Sequence, residues 1–313
     1  MVANLRRSLS FSNTPSPPPP PPPPSSSTSK TAGKRIHFRS ISLPTRSHPI
    51  LFQLKYHLNQ LKSQWGSDPT PESLHSNRIL DALIRLRTIL ECLDDLLDLA
   101  PSRDSLRRHP EWVEKVLEDF LVMVDVYGTF QMQISTLKQC NIAAQLATRR
   151  KDGLKISVCI KGLKKTGREI FKLMPFLHGI QEHNPSNYNI TGSDPNPNPD
   201  VDLVGVIRGV VEVIVMISEA VFGGISGSFE TRKTSWMMGL KKSKREKGIA
   251  ELENGIWSLR SYEDEVMKKK KMMKEMEECI DGIESGCERV FRDEWCICVY
   301  LLDAHGKVVL LFV

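Results

Sequence analysis

Hydrophobic residues recur at three- and four-residue steps along most of the chain after residue 48, which is the spacing of one helix face. The pattern predicts helices over residues 49–65, 79–97, 110–148, 154–177, 203–222 and 249–293. Pro49 and Pro110 suit the first turn of a helix, and Gly66 and Pro101 follow helix ends. We therefore expect an all-α fold: a bundle of long helices over residues 47–293, with a loop at residues 178–200 between its halves.

The last predicted helix carries a heptad-like seam, which is typical of a helix that packs along its length against another helix. The seam residues are Leu259, Tyr262, Val266, Met273, Met276, Ile280, Ile283, Cys287 and Val290. A helix over residues 249–293 would be roughly 65 Å long. That length suits either spanning the bundle or self-association with a second chain.

Residues 203–222 form the most apolar stretch of the chain. Its three charges, Arg208, Glu212 and Glu219, fall within about 40° of one another on a helix and form one narrow polar stripe. Each charge at a bilayer centre would cost about 2.5 kcal/mol or more. The pattern favours a core helix that is buried on most sides, and a membrane-associated helix is the alternative.

The N-terminal leader, residues 1–46, has the composition of a disordered segment. It contains eight consecutive prolines from Pro17 to Pro24 followed by serines, and it offers little apolar surface to bury. The chain as a whole has a net charge of +6, and nine Lys or Arg precede its first acid, Asp68. An acid-free basic segment of this kind favours anionic partners.

The leader ends in the motif Arg39-Ser40-Ile41-Ser42-Leu43-Pro44. A basic residue three positions before Ser42 suits a basophilic kinase. The pattern Arg39, Ser40, Ser42, Pro44 matches the phosphoserine motif of 14-3-3-type adaptors, in which arginines bind the phosphate. Serine- and arginine-rich tails also produce such matches by chance, so a site at Ser42 is a hypothesis beside that alternative.

A second basic cluster consists of Lys241, Lys242, Lys244, Arg245 and Lys247. This candidate contact patch has the composition of a nuclear-import signal or of a surface for anionic lipid. Another run, residues 268–271, lies in a predicted helix and is interpreted as a solvated face. Nucleic-acid binding is not expected, because the basic clusters contain no interleaved aromatic residues.

No catalytic or cofactor motif stands out. The chain has no phosphate-binding glycine loop, no nucleophile elbow and no zinc-protease motif, and Gly223–Gly227 is interpreted as a helix terminator. The seven cysteines lack paired metal-ligand spacing and follow no secretory signal, so we expect reduced thiols and no metal. We therefore expect a non-enzymatic cytoplasmic protein without a cofactor, with nuclear localisation as an alternative. The other alternative is a peripheral or single-span membrane-associated protein, which would use its basic helices, among them the helix over residues 154–177 with six Lys or Arg, and the apolar helix over residues 203–222.

Several segments resemble the plant-specific BYPASS-related family. The similarity is carried by the run from Arg39 to Pro49, by Leu93-Asp94-Asp95-Leu96-Leu97, by Val124-Asp125-Val126-Tyr127-Gly128 and by the segment from Cys279 to Phe291. The resemblance implies an all-helical interaction or regulatory protein linked to root and shoot development. It supplies no catalytic or ligand-binding residue.

The chain departs from that pattern after Glu294. The run Trp295-Cys296-Ile297-Cys298-Val299-Tyr300 has strand-like composition, and residues 307–313 are nearly all apolar. We interpret residues 294–313 as an atypical tail, and our hypothesis is that it arises from splicing or from the gene annotation.

Overall fold

A computed structural model describes residues 48–66, 74–182, 199–229, 248–260, 266–304 and 306. Its helices are α1 Pro49–Gly66, α2 Ser76–Leu97, α3 Ala100–Arg108, α4 Pro110–Arg149, α5 Gly153–Phe171, α6 Met174–Glu182, α7 Pro199–Phe229, α8 Ala250–Arg260 and α9 Val266–Ala304. Within these residues the only extended pairing is a single bridge between Leu74 and Ile249. The predicted all-α class is confirmed, and the leader lies outside the described residues.

The two longest helices, α4 and α9, pack antiparallel. Near one end of the pair, the Gln145 amide donates to Glu277 over 2.9 Å, and further along Lys138 Nζ donates to Glu284 over 2.8 Å. α2 runs parallel to α9 on another side, where Leu80 lies against Gly282 and Leu83 lies against Gly286. The missing side chains of these two glycines let α2 approach α9 closely.

The α9 seam is occupied within the chain. The seam residues from Met273 to Val290 are buried in the core that α9 forms with α2 and α4. Self-association through this helix would therefore need a different face of it.

The core position predicted for residues 203–222 is confirmed, because α7 is buried on most sides. Its charges lie along one stripe, where Glu212 accepts from Lys62 of α1 over 2.6 Å and Glu219 lies 3.1 Å from His178 of α6. Among the described helices, none is both long enough and apolar enough to cross a membrane. The interpretation of residues 223–227 as a terminator was wrong, because α7 continues to Phe229 and these residues are buried.

The single helix predicted over residues 249–293 was also wrong. α8 ends at Arg260 and folds back against α9, where a Cβ built on Gly255 would lie 2.8 Å from the Cβ of Met276. In one continuous helix these residues would be about 30 Å apart. The start of α8 is fixed by contacts with the start of α2 and the residues before it. The Ser76 amide donates to Glu251 over 2.9 Å, and the Ala250 amide donates to the Leu74 carbonyl over 2.8 Å.

Three smaller boundaries also differ from the predictions. The helix predicted over residues 154–177 is broken after Phe171 into α5 and α6, and α6 extends into the predicted 178–200 loop. The short α3 was not predicted. The strand-like residues 295–300 are helical, because α9 continues to Ala304 and buries Ile297 and Leu301 in the core.

Candidate interaction surface on α5

The basic segment after α4 forms a helical hairpin. α4 ends in a tight turn in which Lys151 has a φ of 54° and the Asp152 amide donates to the Ala147 carbonyl over 3.0 Å. This is the pattern of a Schellman cap, in which Lys151 takes the left-handed position although it is not a glycine. Asp152 then accepts from the Lys155 amide over 3.1 Å and caps α5, which begins at Gly153.

Two close contacts hold α5 in place. A Cβ on Gly162 would lie 3.0 Å from the Cys140 sulfur of α4, and a Cβ on Gly167 would lie 3.0 Å from the Phe229 ring of α7. The buried face of α5 also includes Leu163, Thr166 and Ile170. The helix is therefore fixed on its inner side, and its outer side is presented on a rigid support.

The outer side of α5 carries one continuous row of exposed residues at steps of four and three. We call this row the outer stripe; it consists of Leu154, Val158, Lys161, Lys165 and Arg168, all of them exposed. Its first two members are apolar, yet Leu154 is 84% exposed and Val158 is 67% exposed. The remaining three are basic, so the stripe changes from apolar to positively charged along its length.

Basic residues outnumber acidic ones in the segment that contains α5. Residues 149–172 contain nine Lys or Arg and two acids, Asp152 and Glu169. Both acids are engaged locally: Asp152 lies 3.2 Å from Lys155 Nζ, and Glu169 accepts from Lys172 over 2.8 Å. The other basic residues of the helix are left with a net excess of positive charge.

Like charges crowd at the inner edge of the stripe. Partial burial lowers the pKa of the Lys164 ammonium, and Arg260 of α8 and Arg168 lower it further. Binding of an anion beside such a lysine stabilises its charged form. This region of α5 and the end of α8 therefore form a surface suited to an anionic partner.

Further apolar side chains are exposed near the turn that joins α4 to α5. Ile142 and Leu146 of α4 are 45% and 44% exposed. Between residues 126 and 148, α4 carries one charged residue, Lys138. Exposed apolar positions in a stretch with little charge are typical of contact surfaces.

The described chain also has an open cleft of about 450 Å³ between α4 and α9. It is lined by Gln131, Lys138, Asp281, Glu284, Ser285 and Glu288. Lys138 lies 2.8 Å from both Asp281 and Glu284, and these contacts raise its pKa. The cleft is therefore a surface groove in which charged side chains of the two helices form ion pairs. The described residues hold no group of three or more side chains suited to a metal ion.

The most strongly perturbed acid of the described chain lies in the interior. Glu294 is fully buried in the line of the α9 seam, and neither of its carboxyl oxygens has a hydrogen-bond partner. Burial raises its pKa well above the usual range, and the charge of Asp293 adds to this effect. Tyr127, which is also fully buried, has a raised pKa for the same main reason.

The site residues predicted from sequence fall outside the described residues. This holds for Arg39, Ser40, Ser42 and Pro44, and for Lys241, Lys242, Lys244, Arg245 and Lys247. The run at residues 268–271 lies on α9 with three of its four lysines exposed, and Lys271 is 3.7 Å from Glu275.

Sequence reasoning recognised that the fourth helix is basic but missed two parts of this surface. It gave no sign that Leu154 and Val158 are exposed, because spacing alone does not show which apolar residues are covered. It also placed Arg260 inside a continuous helix, whereas the fold brings the end of α8 toward Lys164.

The family model described as Protein BPS1 matches residues 82–293, a range that includes all of α5 and α8. No match was found among curated proteins or among solved structures.

Proposed function

The chain belongs to the BPS1 family, and on that premise we propose that it is a non-enzymatic interaction protein of plant root and shoot development. We further propose that it binds an anionic partner through the basic part of the α5 outer stripe. The observation that carries this proposal is the excess of Lys and Arg on a helix whose inner face is packed. A rigid, charged face binds with little loss of conformational entropy.

The non-enzymatic part of the proposal is supported by where the most strongly perturbed groups lie. Perturbed pKa values at active sites belong to groups that line a cleft and reach substrate. Here Glu294 and Tyr127 are sealed in the core. In the α4–α9 cleft, the charge of Lys138 is engaged by Asp281 and Glu284.

Complementation of plants that lack this protein tests the proposal. The full chain carrying Lys161→Glu and Lys165→Glu is expected to fail to restore root and shoot growth, because the substitutions reverse the charge of the stripe. The matched control is Lys270→Glu with Lys271→Glu, which makes the same change of charge on exposed residues of α9. Rescue by the α5 variant at equal protein abundance would contradict the proposal.

A second contact is proposed for the leader on the strength of its motif. Phosphorylated Ser42, with Arg39 and Pro44, would bind a 14-3-3-type adaptor. Full chain isolated from plant cells is expected to retain the purified adaptor, and Ser42→Ala is expected to lose it. Equal retention by both would refute this contact.

For localisation we propose the cytoplasm, with entry to the nucleus through Lys241, Lys242, Lys244, Arg245 and Lys247. A fluorescent fusion in which these five residues are replaced by glutamine is expected to leave the nucleus. An unchanged distribution would remove this role from the cluster.

A further inference from the structure

We propose that the anionic partner of α5 is the surface of a membrane rich in anionic lipid, on which the outer stripe lies flat. In this arrangement Lys161, Lys165 and Arg168 contact the headgroups, while Leu154 and Val158 enter the boundary between headgroups and acyl chains. The inference rests on the proposed function, because it names the partner of the same surface.

The order of residues in the stripe favours a membrane over an acidic protein. Leu154 and Val158 lie on successive turns and are among the most exposed large apolar side chains of the described chain, at 84% and 67%. Lys161 and Lys165 continue the same row. An interfacial helix needs this combination, because apolar groups enter the lipid while neighbouring cations stay with the phosphates.

The surroundings of the apolar end fit the same arrangement. Arg149 at the end of α4 and Arg150 and Lys151 in the turn that precedes α5 are exposed. Cations therefore lie on both sides of the apolar pair along the chain. Long Lys and Arg side chains can reach headgroups while the apolar pair is embedded.

The dimensions of α5 suit contact without insertion of the backbone. The helix has 19 residues and is roughly 28 Å long. Its inner face packs on α4 and α7, so its backbone stays attached to the bundle. Only side chains of the outer stripe reach the lipid, and such a contact is peripheral and sensitive to salt.

A nucleic acid or an acidic protein is the less suitable occupant. Single-stranded nucleic acid is bound by aromatic side chains that stack on bases, and the outer stripe contains none. An acidic protein would neutralise the lysines but would not require two apolar side chains at the end of a charged row. Substitution of Leu154 and Val158 therefore distinguishes a membrane from a nucleic acid or an acidic protein.

Sedimentation of the full chain with vesicles tests the proposal. One set contains seven parts phosphatidylcholine to three parts phosphatidylserine, and the other contains phosphatidylcholine alone. We expect binding to the anionic vesicles at least tenfold stronger than to the neutral ones, and weaker binding as salt is raised. Each Lys or Arg near such a surface contributes about fivefold to affinity.

Two double variants assign that binding to α5. Lys161→Glu with Lys165→Glu is expected to reduce binding to the anionic vesicles more than tenfold. Leu154→Gln with Val158→Gln, which leaves the charge unchanged, is expected to reduce it about tenfold, because two apolar side chains no longer enter the lipid. Lys270→Glu with Lys271→Glu is the control of equal charge and is expected to bind within twofold of the original chain.

Each other outcome overturns the inference. Absence of binding to the anionic vesicles rejects the membrane as partner, and normal binding by both α5 variants rejects α5 as the contact. Loss with the lysine variant but not with the Leu154 and Val158 variant rejects the apolar contact and leaves a surface for soluble polyanions. If vesicles do not bind while the lysine variant still fails to complement plants, the proposed function stands with a different anionic partner.

Discussion

The hydroxyl groups of Tyr127 and Ser218 lie 2.7 Å apart in the core, where α4 meets α7. Ser218 Oγ also lies 2.7 Å from the carbonyl oxygen of Ile214, to which it donates its proton. A serine hydroxyl has one proton, so Tyr127 is the donor and Ser218 is the acceptor in the contact between them. The direction of this hydrogen bond determines whether loss of the Tyr127 hydroxyl or of the Ser218 hydroxyl destabilises the fold more.

Ser218→Ala is expected to destabilise the fold more than Tyr127→Phe does. Ser218→Ala leaves the buried tyrosine hydroxyl without an acceptor, at a cost of about 1–3 kcal/mol. Tyr127→Phe removes the donor and leaves the Ser218 hydroxyl bonded to the Ile214 carbonyl, at a cost of about 1 kcal/mol. Urea unfolding of both variants and of the double variant measures the difference, and equal losses would contradict the assigned direction.

Gly255→Ala is expected to reduce the free energy of unfolding by about 1–3 kcal/mol, because the new Cβ would overlap buried Met276. Gly205 of α7 is the matched control, since it is exposed and a Cβ there meets nothing within 4 Å. Gly205→Ala is expected to stabilise the helix by about 0.5–1 kcal/mol. Equal effects of the two substitutions in thermal unfolding would show that α8 does not pack on α9 at this point.

Glu294 is expected to make the stability of the fold decrease as the pH rises. Its pKa is raised in the folded chain, so between the unfolded pKa of about 4.3 and the folded pKa the folded chain holds a proton that the unfolded chain releases. The contribution of Glu294 to the free energy of unfolding is therefore fully present below about pH 4.3. It falls by up to about 1.4 kcal/mol per pH unit as the pH rises from there to the folded pKa.

Glu294→Gln removes this titration and keeps the shape of the side chain. The difference in unfolding free energy between the variant and the original chain is expected to grow in favour of the variant from pH 5 to pH 8. Taking the difference cancels the contribution of Asp94, whose pKa is also raised by burial. Parallel pH profiles would mean that Glu294 is already ionised in the fold.

Thiol labelling is expected to follow burial. Cys296 is exposed, whereas Cys279, Cys287 and Cys298 are buried, and burial raises the pKa of Cys279 and Cys298 to about 12. Iodoacetamide at pH 8 should therefore modify Cys296 in the native protein and reach the three buried thiols only after unfolding. Rapid native modification of Cys287, read by peptide mass spectrometry, would be inconsistent with the α9 seam.

The sequence predicted those elements for which local pattern and tertiary packing agree. α4 was placed within a residue at each end, because Pro110 starts it and its apolar spacing continues to the turn. The core position of α7 followed from the narrow stripe that Arg208, Glu212 and Glu219 form. The seam of α9 was identified because its partners α2 and α4 cover that face in the fold.

The errors came from features that local pattern does not contain. The apolar spacing is the same on both sides of the α8–α9 boundary, so it did not reveal that Gly255 faces Met276. The glycines of residues 223–227 predicted a helix end, but burial against neighbouring elements outweighs their low helix propensity. On α5, the charge was visible in the sequence, whereas the exposure of Leu154 depends on how the hairpin packs.

Lysine labelling tests the claim that the outer stripe of α5 is a contact surface in the cell. Plant cells containing the full chain, and the purified full chain, would each be treated with a membrane-permeable acylating reagent and digested for mass spectrometry. We expect Lys161 and Lys165 to be labelled several-fold less in cells than in the purified protein, while Lys270 is labelled equally in both. Equal labelling of all three lysines in both preparations would contradict the claim.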